Sequence, residues 1–333
     1  MRSSGYSRRL RASGPSSRQD AVDRPGPRNP FVSPRFGQIA TFMLLPHAET
    51  ARDLDVALLG IPYDGGTSYR TGARFGPRAV REQSSLIRSW NPVLKVHPFE
   101  KLRVADCGDV DVVPISIERT YEAVERRIAA VTAEGALPVC VGGDHSVTLP
   151  ILRALARRHG PLGVVHFDAH PDTWDEYFGS KFFHGTPFRR AVEEGHVDPR
   201  RMIQVGIRGP LYGAEDFEFH DRHGIEVVRI ETVKEQGTAW VAERLARLRG
   251  GPLYCSFDID AVDPAYAPAT GTPEVGGLTS YEALVLVRAL VGQALVGADV
   301  VEVSPPYDGP GQITSLLAAN LMFELVSVLA RER

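Results

Sequence analysis

The stretch Gly163-Val164-Val165-His166-Phe167-Asp168-Ala169-His170-Pro171-Asp172 decides how the chain is read. Its first half is apolar almost throughout, as expected of a strand covered on both faces. Its second half gathers two acids and a histidine directly after that strand. In open α/β sheets ligands bind beyond the carboxyl ends of the strands, so a polar cluster there is a candidate site.

The same alternation extends in both directions. Short β-branched runs at 54–61, 102–107, 137–141, 202–207, 225–230, 253–257 and 299–303 read as further strands. Between them 77–88, 117–133, 147–158, 232–248, 280–290 and 315–330 carry helical periodicity. Ser280 with Glu282 marks a helix start, and Gly160 and Gly250 mark stops. No internal repeat or later linker interrupts the pattern. The expectation is one α/β domain over residues 31–333, a three-layer α/β/α sandwich around a mainly parallel sheet of about eight strands.

Residues 1–30 differ in kind. Arg2, Arg8, Arg9, Arg11, Arg18, Arg24 and Arg28 face only Asp20 and Asp23 among serine, proline and glycine. Such a segment buries too little apolar surface to offset its ordering entropy, which predicts a disordered tail. A transit peptide shares this composition and is the alternative.

The remaining composition excludes partners. A net charge of −3 with no basic block gives a nucleic-acid partner no electrostatic footprint. No run reaches the eighteen or so consecutive apolar residues of a membrane helix. Cys107, Cys140 and Cys255 sit in or beside apolar runs, as core residues rather than a disulfide framework, which suits the cytoplasm.

Two other strand ends are equally polar: Gly142-Gly143-Asp144-His145-Ser146, and Asp258-Ile259-Asp260-Ala261-Val262-Asp263. On an extended segment residues two apart share a side, so Asp168, His170 and Asp172 can converge, as can Asp258 and Asp260. Such a crowd, without matching lysines or arginines, would repel and desolvate at large cost unless cations occupied it. Carboxylate and imidazole donors without thiolate suit manganese or a similar ion better than structural zinc. Taken singly, each motif also reads as a turn with a capping aspartate. His166, inside the strand, reads as a core histidine, and Asp144 as a turn residue.

These three motifs, in this order, resemble the ureohydrolase family of agmatinases, arginases and related guanidino hydrolases. Gly271-Thr272-Pro273-Glu274, Val301-Glu302-Val303-Ser304-Pro305 and His184-Gly185-Thr186-Pro187 add to the resemblance. It implies an arginase-like fold and two Mn2+ per subunit. His145 and Asp172 would hold one ion, His170 and Asp260 the other, with Asp168 and Asp258 bridging. It also implies a homotrimer or homohexamer, with Asp260 and His184 handling protons. Glu302, after an apolar run, would take the guanidinium through paired hydrogen bonds; an internal salt bridge is the alternative.

The far end of the substrate must be read by rim loops, the longest spanning 173–183. Arginases carry a polar Ser/Asn-rich loop there, and Thr-Trp-Asp-Glu-Tyr-Phe departs from it, against arginine as substrate. Asp175 and Glu176 would attract the ammonium of agmatine; Lys181 or Arg208 would attract the carboxylate of a guanidino acid. The leading expectation is hydrolysis of agmatine to putrescine and urea. Guanidinobutyrase, guanidinopropionase and proclavaminate amidinohydrolase activities are the alternatives. A two-metal phosphoesterase and a metal-binding homologue without catalysis are more distant readings.

Overall fold

The apolar runs form one sheet in a computed structural model that describes residues 26–332. Its eight strands are β1 (Val56–Gly60), β2 (Val104–Asp109), β3 (Leu137–Val141), β4 (Leu162–Phe167), β5 (Val197–Ile207), β6 (Glu226–Arg229), β7 (Leu253–Asp258) and β8 (Leu295–Val301). Their order is β2-β1-β3-β8-β7-β4-β5-β6, and every pairing is parallel. The expected mainly parallel sheet is therefore parallel throughout.

The helices are α1 (Gly76–Ser84), α2 (Pro98–Lys101), α3 (Ile117–Ala133), α4 (Thr148–His159), α5 (Pro187–Glu193), α6 (Glu218–His223), α7 (Ile230–Ala246), α8 (Ser280–Arg288) and α9 (Ile313–Arg331). Alternate side chains of each strand feed opposite cores. Val165 and Phe167 of β4 join α7, α8 and α9 on one face, while Leu162 and Val164 join α3, α4 and α5 on the other. Cys107, Cys140 and Cys255 are buried and free. By length and composition α9 could cross a membrane, but 78% of its apolar window is buried inside the protein.

Some boundaries move for local reasons. The cap of α8 is Thr279, one residue before the expected Ser280, in a reciprocal capping box with Glu282. Gly160, at φ 76, does end α4, whereas α7 stops at Ala246 with Arg247 as its cap, before Gly250, and is broken within at Gly237, φ 81. Helices α2, α5 and α6 are too short for periodicity to show. Most of the expected tail, residues 1–25, lies outside the described residues. In the described part Arg28 hydrogen-bonds the Ile39 carbonyl at 3.0 Å.

Candidate metal centre

Neighbouring strands β3, β8, β7 and β4 occupy the middle of the sheet, and all four end at the same place. His145 follows β3; Asp168, His170 and Asp172 follow β4; Asp258 and Asp260 close β7; Glu302 follows β8. These side chains do converge, though not by extended alternation. Asp172 is left-handed at φ 51. Asp258 caps a 3-10 turn, its Oδ1 accepting the Asp260 N–H at 2.8 Å. Turns, rather than a two-residue period, aim the acids inward.

The donor atoms form two clusters that share Asp168. His145 Nδ1 lies 3.1 Å from Asp168 Oδ2, 3.0 Å from Asp172 Oδ2 and 3.1 Å from Asp258 Oδ2. His170 Nδ1 lies 3.4 Å from Asp168 Oδ1 and 3.1 Å from Asp260 Oδ2. Yet His145 Nδ1 and Asp260 Oδ2 make no hydrogen bond, although both are buried. Burial, then the charges of Asp260 and Asp168, pushes Asp258 well above the usual carboxylate range. Burial and Asp168 raise Asp172 and Asp260 as well. Orphaned ligand atoms and acids that resist ionising together mark a place shaped for cations, which would relieve both.

The protonation of His145 follows from its neighbours. Ser256 Oγ donates to Asp299 Oδ1 at 2.6 Å, so at 2.8 Å from His145 Nε2 its oxygen must accept. Nε2 therefore carries the proton and Nδ1 offers its lone pair to the cluster. Asp299, fully buried in β8, also accepts from Thr148 Oγ1 at 2.6 Å and Tyr254 OH at 2.7 Å. On the opposite side Gln204 donates to Pro171 O at 2.6 Å and to His166 Nδ1 at 2.9 Å, leaving His166 Nε2–H for Asp168 Oδ2 at 2.6 Å. Burial, followed by His166, depresses His220 to about 4, and its Nε2–H donates to Gln204 Oε1 at 2.8 Å. His166 is thus a satisfied core histidine that also steadies Asp168. Ser256, Asp299 and Gln204 were not singled out from sequence. A polar residue within an apolar strand was the available signal.

Glu302 is buried at φ 62, and its Oε1 takes the His145 N–H at 2.9 Å and stands 3.1 Å from His184 Nδ1. Its Oε2 has no hydrogen-bond partner. Burial opposes protonation of His184, but its bond to Glu302 and nearby acids raise its pKa. Asp144, read as a turn residue, also holds Gly66 N–H at 2.7 Å, and burial followed by Glu302 brings it up to about 7.

Above the cluster opens a cavity of about 670 Å³, walled by His170, Asp172, Asp258 and His184 below and by Trp174, Glu176, Tyr177, Phe183, Tyr212 and Glu274 higher up. Four expected substrate contacts are absent from this wall: Glu302, buried behind His184 with Oε2 unpartnered, and three that are engaged elsewhere or exposed. Arg208 spends all five donors on carbonyl oxygens: those of Val275, Gly206, Ala261, Asp260 and Glu274, at 2.6–3.3 Å. It pins the Asp260 turn and has nothing left for a carboxylate. Asp175 turns away to Arg190, at 2.7 Å, and Arg189. Lys181 is exposed and absent from the lining. Neighbouring Glu176 lies in it.

The Arginase family model matches residues 54–327. The chain belongs to the arginase family. It is 52% identical over 310 residues to guanidinopropionase of Pseudomonas aeruginosa, covering 92% of this chain and 97% of that protein. It is 48% identical to guanidinobutyrase of the same organism, covering 89% and 94%. The solved structure of proclavaminate amidinohydrolase from Streptomyces clavuligerus superposes with a TM-score of 0.87 at 42% identity, covering 90% of this chain and all of that one. This arginase-family member is accordingly a hydrolase of carbon–nitrogen bonds in linear amidines, acting on guanidino compounds.

Proposed function

We propose that the protein splits urea from a small ω-guanidino acid, of the size of 3-guanidinopropionate or 4-guanidinobutyrate, with two manganese ions per subunit. The observation that carries the chemistry is the pair of clusters sharing Asp168, with His145 Nδ1 and Asp260 Oδ2 unpartnered beneath an open cavity. His145 and Asp172 would hold one ion, His170 and Asp260 the other, with Asp168 and Asp258 between them. When bound, such a pair acidifies a shared water, so that a nucleophile is available near neutral pH.

The chain's own groups do the rest. Glu302 Oε2 accepts guanidinium N–H and orients its carbon. Asp260 takes the proton of the attacking water and returns it to the leaving nitrogen, and His184 supplies the proton that makes the departing amine an ammonium. Similarity to guanidinopropionase and guanidinobutyrase supports a guanidino acid. Glu176 and Glu274 in the wall favour a second reading, agmatine, because two carboxylates would welcome its distal ammonium. Urea release by the manganese-loaded protein from 3-guanidinopropionate, 4-guanidinobutyrate, agmatine and arginine tests both. The guanidino acids should lead in kcat/KM; a lead for agmatine would promote the second reading, and no urea from any would overturn the chemistry.

A further inference from the structure

Both ring nitrogens of His184 are engaged. Nδ1 faces Glu302, while Nε2 meets two atoms of one residue, the Ser68 backbone N–H at 3.2 Å and Ser68 Oγ at 2.7 Å. A backbone N–H only donates, so Nε2 receives it through its lone pair, and the neutral ring keeps its proton on Nδ1, towards Glu302. The Ser68 hydroxyl is the group in contact with Nε2 that can hand it a proton.

Ser68 is held there by design of the backbone. The Gly66 N–H donates to Asp144, and Gly66 O accepts the His184 N–H at 3.0 Å. A Cβ on Gly66 would stand 3.0 Å from Ser146 Oγ and 3.1 Å from Asp144 Oδ2, so the approach depends on glycine.

Ser68 also forms part of the wall between two cavities. One is the reaction cavity. The other, of about 370 Å³, is lined by Ser68 with Thr67, Tyr63, Ser116 and Glu118, and in it Ser116 Oγ donates to Glu118 at 3.0 Å. Substrate filling the reaction cavity expels water from the His184 side of the wall. The second cavity stays open behind it.

We propose that Ser68 passes protons between this second cavity and His184, with Glu118 gathering them at its far side. The inference rests on the hydrolysis proposed above. A hydronium or protonated buffer in the second cavity gives a proton to Ser68 Oγ as the Oγ–H proton moves to His184 Nε2. The imidazolium so formed turns its Nε2–H from Ser68 to the departing amine, gives up that proton, and returns to neutral with its other proton still on Nδ1. Hydroxyl and ring are restored, and one proton has been carried from solvent to product.

The test is urea release by the full-length, manganese-loaded protein and its Ser68→Ala, Ser68→Thr and Glu118→Gln variants, across pH, with and without added imidazole. Ser68→Ala should lose kcat roughly tenfold with KM within about twofold, and imidazole should restore most of it. Ser68→Thr should keep its turnover. An unchanged kcat in Ser68→Ala, a loss that imidazole does not repair, or a threonine variant as poor as alanine would overturn the route. Glu118→Gln lies on the exposed first turn of α3 and leaves the core alone. Its kcat should fall at low buffer concentration, and equality with wild type at every buffer concentration would also overturn the route. Wild-type protein that released no urea would sink the hydrolysis itself; active wild type with an unaltered Ser68→Ala sinks the relay alone.

Discussion

At the floor of the cavity the side chains are buried, His170 alone only partly, and they are held by named partners: His145 by Ser256, Asp168 by His166, Asp258 by the Asp260 N–H. At its mouth the loops over 174–183 and 209–213 present Tyr212, 79% exposed, and the hairpin tip Phe178, 86% exposed at φ 52. Tyr177 stacks on Phe183 with centroids 5.4 Å apart, and its hydroxyl meets that of Tyr212 at 3.5 Å. The floor is over-determined by strand ends, whereas the mouth is two loops touching through aromatic rims. Chemistry thus resides where the scaffold is rigid, and discrimination where it can vary.

The sharpest way to break this contrast is at the floor. Asp258→Asn should lower bound manganese and cut kcat about a thousandfold, the equivalent of about 4 kcal/mol of transition-state stabilisation. Elemental analysis of dialysed protein beside the urea assay checks it. Unchanged metal content would remove Asp258 from between the two clusters.

This division also explains what the sequence disclosed. Asp168, His170, Asp172, Asp258 and Asp260 were legible because each follows an apolar strand, and parallel strands bring their carboxyl ends to one edge. How they converge was not, because the left-handed Asp172 and the capped turn after Asp258 break the two-residue period. Arg208 misled for a related reason: a basic residue after a strand looks like a ligand for an acid, and nothing local reveals five waiting carbonyls. Asp175 and Lys181 misled because a loop's path is set by distant contacts. Of the two acids expected on that loop only Glu176 reaches the cavity, together with Trp174.

A smaller effect should come from beneath the floor. Asp299 touches no ligand, but it receives Ser256, Tyr254 and Thr148 and so fixes the proton on His145 Nε2. In Asp299→Asn an amide N–H must face a hydroxyl that formerly donated, which loosens the Ser256 orientation. Manganese affinity should fall roughly 10–100-fold, with the fold retained by circular dichroism. Wild-type affinity in this variant would show that the floor is set by the ligands alone.

The smallest effect should come from the mouth. Lys181 lies two residues from the lining Phe183, yet it stands outside the lining, near the Asp175 carboxylate, whose bond to Arg190 together with the Arg189 and Lys181 charges lowers its pKa. An exposed ammonium at such a place acts on a bound carboxylate only through water and salt, which screen it within about 8–10 Å. Lys181→Ala should therefore change KM for 4-guanidinobutyrate and for agmatine by less than about twofold at physiological ionic strength. A rise of about tenfold confined to the guanidino acid would mean that the 174–183 loop folds inward over substrate, bringing Lys181 to the carboxylate and making the mouth as exacting as the floor.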